Sequence, residues 1–425
     1  MRWKWLCSIA GVVALALAVA VSPAAAQKGP IKIGLVAPLT GFFAAVGKDM
    51  KDGFDLWFEE HPGDRTVAGR KIKVVYEDTL GKPAINVTKV RDKLIKKDKV
   101  HVVIGGLLAS TGYALAPVVT RYKTPMLYPV MAADDLTQRK RKQYKYVVRT
   151  GWTSSQPSHP FGEWAYKELG IRKVITIGSD YAFGYEVTAG FQRSFEEAGG
   201  KVVAKIWNPI KTTDFGPYIA RIKDIRRRTG ADGLFVMQVG GGSLRFPKQL
   251  AQAGEREKFK AILGGGTTAD EFVLPAQGDE VIGYYTPLQY SAAVQNPINR
   301  AFVKRYRARF GKQPSYYSET MYTSARWIVE AAKKINGNVE DKELFLKTLC
   351  SMEFPDTPRG PVRMDPFCNP IHNIYVRKVA KIGGEKWNTV VKIFPMVSQF
   401  WKYDPKEFLK KPVYDRNHPP CRHCE

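Results

Sequence analysis

The stretch Ile31–Glu60, IKIGLVAPLTGFFAAVGKDMKDGFDLWFEE, switches its apolar period from two to about 3.6. Ile31, Ile33 and Leu35 alternate as on a strand, and Pro38-Leu39-Thr40-Gly41 turns the chain. Val46, Met50, Gly53, Phe54, Trp57 and Phe58 then recur three or four apart, as on a helix. A strand that enters a helix through a short loop is the opening unit of an α/β sheet. In such sheets ligands sit beyond the carboxyl ends of the strands. The loop Pro38–Phe43 is therefore expected to form the first wall of a ligand cleft.

The unit repeats. Ile72, Val74 and Tyr76 alternate, Pro83 suits the first position of a helix, and Val87, Val90, Leu94 and Ile95 share one helical face. Val100–Ile104 reads as a buried strand closed by Gly105-Gly106. Ala109-Ser110-Thr111-Gly112 leads into a helix with Leu115, Val118 and Val119. Pro125–Val130 delivers Met131-Ala132-Ala133. This rhythm predicts a parallel sheet covered on both faces. After Tyr146–Arg149 and the loop Gly151–Ser155, strands and helices alternate again, from Lys173–Ile177 to Ala261–Leu263 with Gly264-Gly265-Gly266. Glu280–Leu288 reads as a further strand, Asn299–Phe310, Tyr316–Ile335 and Lys342–Leu349 as helices, and His372–Val379 with Thr389–Phe394 as a hairpin. The expected divisions are a leader 1–26, lobe one 27–149 plus 287–352, lobe two 150–286 plus 353–403, and a tail 404–425.

The leader reads as a secretory signal peptide: Arg2 and Lys4, an apolar run Leu6–Val21, and Ala24-Ala25-Ala26 as the cleavage signal. Its removal leaves 399 of 425 residues, a natural length for two domains, and an exported product is expected. The remaining 64 basic and 40 acidic residues give a net charge of +24. The cations are spread over helix faces without a nucleic-acid motif, so a basic surface that attracts anions is expected, not a nucleic-acid binder. Four cysteines remain. In an oxidising compartment Cys350–Cys368 is the expected bridge, and Cys421-Arg-His-Cys424 a local bridge or an unused tail, not a zinc site.

Enzyme signatures are missing from the sequence. The glycine pairs and triplets fit neither G-x-G-x-x-G nor the P-loop, no G-x-S-x-G elbow occurs, and the six histidines are scattered without metal spacing. His159 reads as a helix-capping or surface residue that could alternatively line the cleft. No catalytic residue, metal or cofactor is expected. Aromatic residues instead gather in loops after strands: Phe42, Phe43, Trp152, Tyr181 and Phe183. Ser110, Thr111, Thr153, Gln238 and Thr267 are the polar groups available there. The backbone N–H groups around Ser110 and Thr111 are placed to receive a carboxylate, and Ser110 also suits a plain N-cap.

In order and spacing the chain from about Ile31 to Tyr403 resembles a type I periplasmic binding protein, closest to the leucine/isoleucine/valine-binding family that feeds ABC importers. The resemblance rests on IKIGLVAPLTG, VVIGG…AST (Val102–Thr111), Pro125–Pro129, YVVRTGWTSSQ (Tyr146–Gln156), SDYAFG (Ser179–Gly184), EEAGGKVV (Glu196–Val203), TTDFGPYIARIK (Thr212–Lys223) and ILGGG (Ile262–Gly266). It implies two Rossmann-like lobes joined by a three-strand hinge, closure on a small-molecule ligand, and docking of a periplasmic monomer to ABC permease subunits. Carried over residue by residue, the ligand positions are Phe42, Phe43, Ala109, Ser110, Thr111, Met131, Ala132, Trp152, Thr153, Phe183, Gln238 and Thr267. Several depart from the family pattern, Phe183 among them in lacking a hydroxyl. Ala109 and Ala132 stand where a serine and a threonine usually clasp an amino acid's carboxylate. No acid stands near Thr153, and Thr267-Thr268 replaces the acid expected after the glycine triplet. These departures point to an aromatic or apolar organic acid, with a branched-chain amino acid as the alternative ligand and a sensory module as the alternative role.

Overall fold

The computed structural model describes residues 29–424; the proposed leader lies outside the described residues. The first sheet contains β1 (Ile31–Ala37), β2 (Thr66–Val67), β3 (Arg70–Asp78), β4 (Val102–Gly105), β5 (Met126–Tyr128) and β6 (Val147–Arg149), in the order β2-β3-β1-β4-β5-β6. All its pairings are parallel except β2 with β3. The second contains β7 (Lys173–Ser179), β8 (Lys201–Asn208), β9 (Gly233–Met237), β10 (Ala261–Gly264), β11 (Tyr285–Leu288), β12 (Glu353–Phe354), β13 (Val362–Met364), β14 (Pro370–Ile382) and β15 (Glu385–Val397). Its order is β12-β13-β14-β11-β10-β9-β7-β8, with β15 on β14. The β7–β11 part is parallel, and the late hairpin adds antiparallel strands to its edge.

The helices are α1 (Ala44–Glu60), α2 (Pro83–Thr88), α3 (Ala109–Arg121), α4 (Ser158–Lys167), α5 (Ala182–Glu197), α6 (Gly216–Thr229), α7 (Gly241–Gln252), α8 (Pro297–Phe310), α9 (Tyr316–Lys334), α10 (Lys342–Leu349) and α11 (Pro405–Lys410). Glu280–Leu288 departs from the sequence reading: only Tyr285–Leu288 pairs as a strand, and Asp279–Val281 is a tight 3-10 turn. The helix expected through Ile95 also changes character. It widens after Thr88 to i→i+5 bonding over Lys89–Lys97, which keeps Val90 and Leu94 buried. Leu94 lies over Gly34 of β1, where a Cβ would come within 2.8 Å of its methyl.

Although distant in sequence, α9 packs on α1. A Cβ on Gly53 would lie 2.0 Å from the Ser318 carbonyl oxygen, so the two helices meet backbone to backbone. Asp49 of α1 accepts from Tyr306 Oη at 2.7 Å and pairs with Lys312 at 2.7 Å, joining α8 and the loop after it to the same face. Gly53→Ala should force α1 and α9 apart and destabilise the protein by about 1–3 kcal/mol. An unchanged urea midpoint would show that this contact does not set the packing.

Cys350 and Cys368 are bridged, with Cα atoms 4.9 Å apart, and Cys421 is bridged to Cys424. The tail lies against α4, α5 and β8: Gln192 and Lys205 donate to the carbonyls of Pro420 and Pro419 at 2.9 and 2.8 Å. His159 is neither a cap nor a surface group. It is fully buried beneath the tail, with Nε2 3.1 Å from Tyr414 Oη and its ring among Trp401, Tyr403, Phe408 and Tyr414. The proline-rich tail hid this role, because covering segments of this kind carry no periodic signal.

Candidate ligand-binding site

The loops at the carboxyl ends of the two sheets touch. The first, Pro38–Phe43, is pinned from below by Asp78 at the end of β3. Asp78 Oδ1 accepts from Leu39 N at 2.8 Å and Leu80 N at 3.0 Å, and Oδ2 accepts from the Thr40 hydroxyl. The loop presents Phe42, which is 80% exposed. Phe43 turns back, edge-on to Phe42 at 4.9 Å, and covers Gly81, where a Cβ would come within 2.6 Å of its ring. Phe42 faces the loop before α7 instead: a Cβ on Gly240 would sit 3.8 Å from its ring. Of the two phenylalanines, Phe42 is the one that spans from one sheet's loops to the other's.

β4 ends at Gly105, whose φ of +115° and whose place 2.0 Å from the Val36 carbonyl (measured from a hypothetical Cβ) exclude any other residue. The chain then enters α3. Its N-cap is Leu108, and no side chain caps it, so the capping role considered for Ser110 is not realised. Ser110 is exposed, one residue inside the helix, while Ala109 and Thr111 are buried. The N–H groups of the first helical turn have no intrahelical acceptor and carry the positive end of the helix dipole. Side-chain caps are likewise absent from α1, α2, α4, α5, α6 and α7, whereas Asn296, Ser315, Asp341 and Asp404 cap α8, α9, α10 and α11. Met131 and Ala132 are buried beside this turn, the Met131 thioether lying over Gly106.

The chain first leaves the first sheet through Trp152, 2% exposed. Its indole stands edge-on to Phe183 of α5 at 5.5 Å and to Tyr316 of α9 at 5.9 Å. Tyr181 lies 6.0 Å from Phe183, and Tyr317 4.0 Å from Tyr316. Trp152 Nε1 is buried with no acceptor among the described residues. The candidate site thus contains an aromatic wall assembled from three separate elements, with the Trp152 N–H left unpaired among the described residues.

The polar residues expected in the site divide differently. Gln238 spends both ends of its amide on the scaffold: Nε2 donates to Asn208 Oδ1 at 2.7 Å, and Oε1 accepts from Ser179 Oγ at 3.2 Å. Thr267 Oγ1 donates to the Gln238 carbonyl at 3.3 Å, and Thr153 Oγ1 to Gln156 Oε1 at 3.4 Å. These groups brace the strand ends. The acids after the glycine triplet are occupied too. Arg377 of β14 lies 3.3 Å from Glu271 and 3.7 Å from Asp270, all three buried. Sequence reasoning missed Tyr316, because a tyrosine pair at a helix start reads as packing, and missed Arg377, whose acidic partners lie more than a hundred residues away.

A sequence model described as periplasmic binding protein matches residues 30–384. The chain belongs to the periplasmic binding protein family. Leu/Ile/Val-binding protein homolog 6 of Brucella melitensis biotype 1 is 31% identical over 385 residues, covering 89% of this chain and 95% of that protein. A solute-binding protein of an ABC transporter from Rhodopseudomonas palustris BisB5, solved with 3,4-dihydroxybenzoic acid, is 34% identical. It superposes with a TM-score of 0.80 over 87% of this chain and 98% of its own. Another from R. palustris, solved with 4-hydroxybenzoate, is 30% identical, with a TM-score of 0.80 over 88% and 99%. The chain is accordingly a periplasmic solute-binding protein whose work is to bind a small molecule, not to transform it. The two-lobed, mainly parallel architecture read from the sequence is the one observed. Among the described residues no helix is long and apolar enough to cross a membrane.

Proposed function

We propose that the chain captures an aromatic or apolar carboxylate between its lobes and presents it, as a monomer, to ABC permease subunits in the inner membrane. In this reading the lobes are residues 27–149 plus 287–352 and 150–286 plus 353–403. The observation that carries the ligand class is the pairing of the Trp152–Phe183–Tyr316 wall with the uncapped start of α3. The rings take the apolar body, and the N–H groups of Ala109–Thr111 take the carboxylate. An α-ammonium has no counter-charge where the family usually provides one, because Glu271 and Asp270 already face Arg377. Aromatic acids in the two R. palustris proteins support the same class. Phe42, Phe43, Ser110, Thr111, Met131, Ala132, Thr153 and Phe183 complete the proposed surroundings, and the lobes close by hinge bending about the strands between them.

A thermal-shift comparison of benzoate, 4-hydroxybenzoate and leucine tests the reading. A ligand at a hundred times its Kd stabilises by about 2.7 kcal/mol, so a true ligand raises the melting temperature and an inert one does not. A shift with leucine alone would overturn it. Phe42→Ala, which removes an exposed ring, is expected to weaken 4-hydroxybenzoate binding roughly three- to tenfold without changing the unfolding midpoint. Unchanged affinity in this variant would take the first loop out of the site.

A further inference from the structure

Behind the aromatic wall a second contact joins the two sheets' loops, and it is acidic. Asp134 lies in the 3-10 turn after β5, and Glu186 lies one turn beyond Phe183 on α5. Both are buried, at 4% exposure each. Asp134 Oδ1 accepts from Ser155 N at 3.1 Å. Asp134 Oδ2 and Glu186 Oε2 have no partner among the described residues. Arg149 at the end of β6 attracts both acids through space but spends its hydrogen bonds elsewhere: it donates to the Ala133 carbonyl at 2.6 Å, the Trp152 carbonyl at 3.3 Å, the Met131 carbonyl and Thr137 Oγ1 at 3.2 Å. Arg139 pairs with Asp135 at 3.5 Å. Glu186 accepts from the Asp134 backbone N–H and the Ser154 hydroxyl, so two buried carboxyl groups, one on the turn after β5 and one on α5, lie side by side without an ion pair of their own.

We infer that Asp134 and Glu186 form a proton-binding lock between the lobes, so that closure takes up protons and acid strengthens ligand capture. This rests on the binding-and-closure reading above and adds a regulator to it. Separating the loops would hydrate both acids and let both ionise. Bringing them together buries two like charges, a state that protonation relieves. Burial, and then the Asp134 charge, hold the Glu186 carboxyl well above the usual carboxylate range. Burial pushes Asp134 up to about 6 against the pull of Ser155, Arg149 and Arg139. The other groups facing the pair are Asp135, the phenols of Tyr113 on α3 and Tyr181 before α5, and Tyr414 of the tail. Burial raises all three phenols, which stay neutral throughout the range considered.

The sign follows from the raised values. The closed form holds more protons than the open one, so closure is most favoured near the ordinary carboxylate range and weakens as pH rises through about 6 and beyond. With 4-hydroxybenzoate as the probe, Kd should fall three- to tenfold between pH 7.5 and pH 5.5. Calorimetry in buffers of different ionisation heat should register proton uptake. Glu186→Gln, a permanent stand-in for the neutral acid, should bind as tightly at pH 7.5 as the wild type does at pH 5.5, with little pH dependence. Asp134→Asn should flatten the profile likewise if Glu186→Gln folds poorly. X-ray scattering of the ligand-free protein tests the lock without any ligand, since its radius of gyration should shrink on acidification and stay constant in Glu186→Gln. If no aromatic acid binds but the scattering responds to pH, the ligand reading fails and the lock stands. Identical pH responses in wild type and both variants would overturn the lock.

Discussion

Arg377→Ala is expected to destabilise the protein by about 3–5 kcal/mol, because it leaves a buried carboxylate without its counter-charge. The guanidinium is fully buried on β14 and pairs in register with Thr286 of β11. It donates to the Gly266 carbonyl at 2.7 Å, Thr286 Oγ1 at 3.0 Å and the Tyr290 carbonyl at 3.0 Å, besides facing Glu271 at 3.3 Å. Glu271 Oε1 in turn accepts from Ala292 N at 3.1 Å. One side chain therefore fixes the glycine triplet, the antiparallel addition to the second sheet, and the segment that leads on to α8. Burial, and then the neighbouring Glu271, push the Asp270 carboxyl beside it well above the usual carboxylate range. Without Arg377, the buried Glu271 would lose the cation it faces. Urea unfolding followed by circular dichroism reads the loss. Adding Glu271→Gln to Arg377→Ala should recover part of it, because the charge is then gone from both sides. A single variant within about 1 kcal/mol of the wild type would show that the pair does not hold this edge together.

The fold was largely legible because its elements carry periodic apolar signals. The switch of period at Ile31–Glu60 marks β1 and α1 almost to the residue. The tight Gly105 turn and the late β hairpin follow from local chemistry in the same way. The aromatic wall was half legible. Trp152 and Phe183 stand in loops after strands, where an α/β sheet places its ligands, but Tyr316 enters from a helix of the opposite sequence half. The polar part was legible in position only, for a physical reason. A residue's position at a strand end says that it is near a cleft, and says nothing about whether its hydrogen bonds are free. Gln238 and Thr267 are spent on each other and on Asn208 and Ser179. Asp134, Glu186, Arg149 and Arg377 acquire meaning only when distant segments meet, so no local pattern could announce them.

Trp152→Ala should weaken binding of 4-hydroxybenzoate roughly 30- to 150-fold, equivalent to about 2–3 kcal/mol, the loss of a central buried aromatic anchor. The indole packs against rings of both α5 and α9, so its removal takes away a wall and also the spacing between Phe183 and Tyr316. It also removes the unpaired Nε1–H, the one indole donor there left for a ligand oxygen. Trp152→Phe separates the two effects. It keeps an edge-to-face ring and loses only the donor and part of the area, so its affinity should fall within about tenfold of the wild type. Because Trp152 is buried, each variant needs its unfolding midpoint measured beside its Kd. A loss of affinity in protein that remains folded across the titration is a property of the site. Trp152→Ala binding within threefold of the wild type would move the ligand away from the aromatic wall. The uncapped helix starts, with Phe42 reaching toward Gly240, would then be left as the surfaces on which the carboxylate is held.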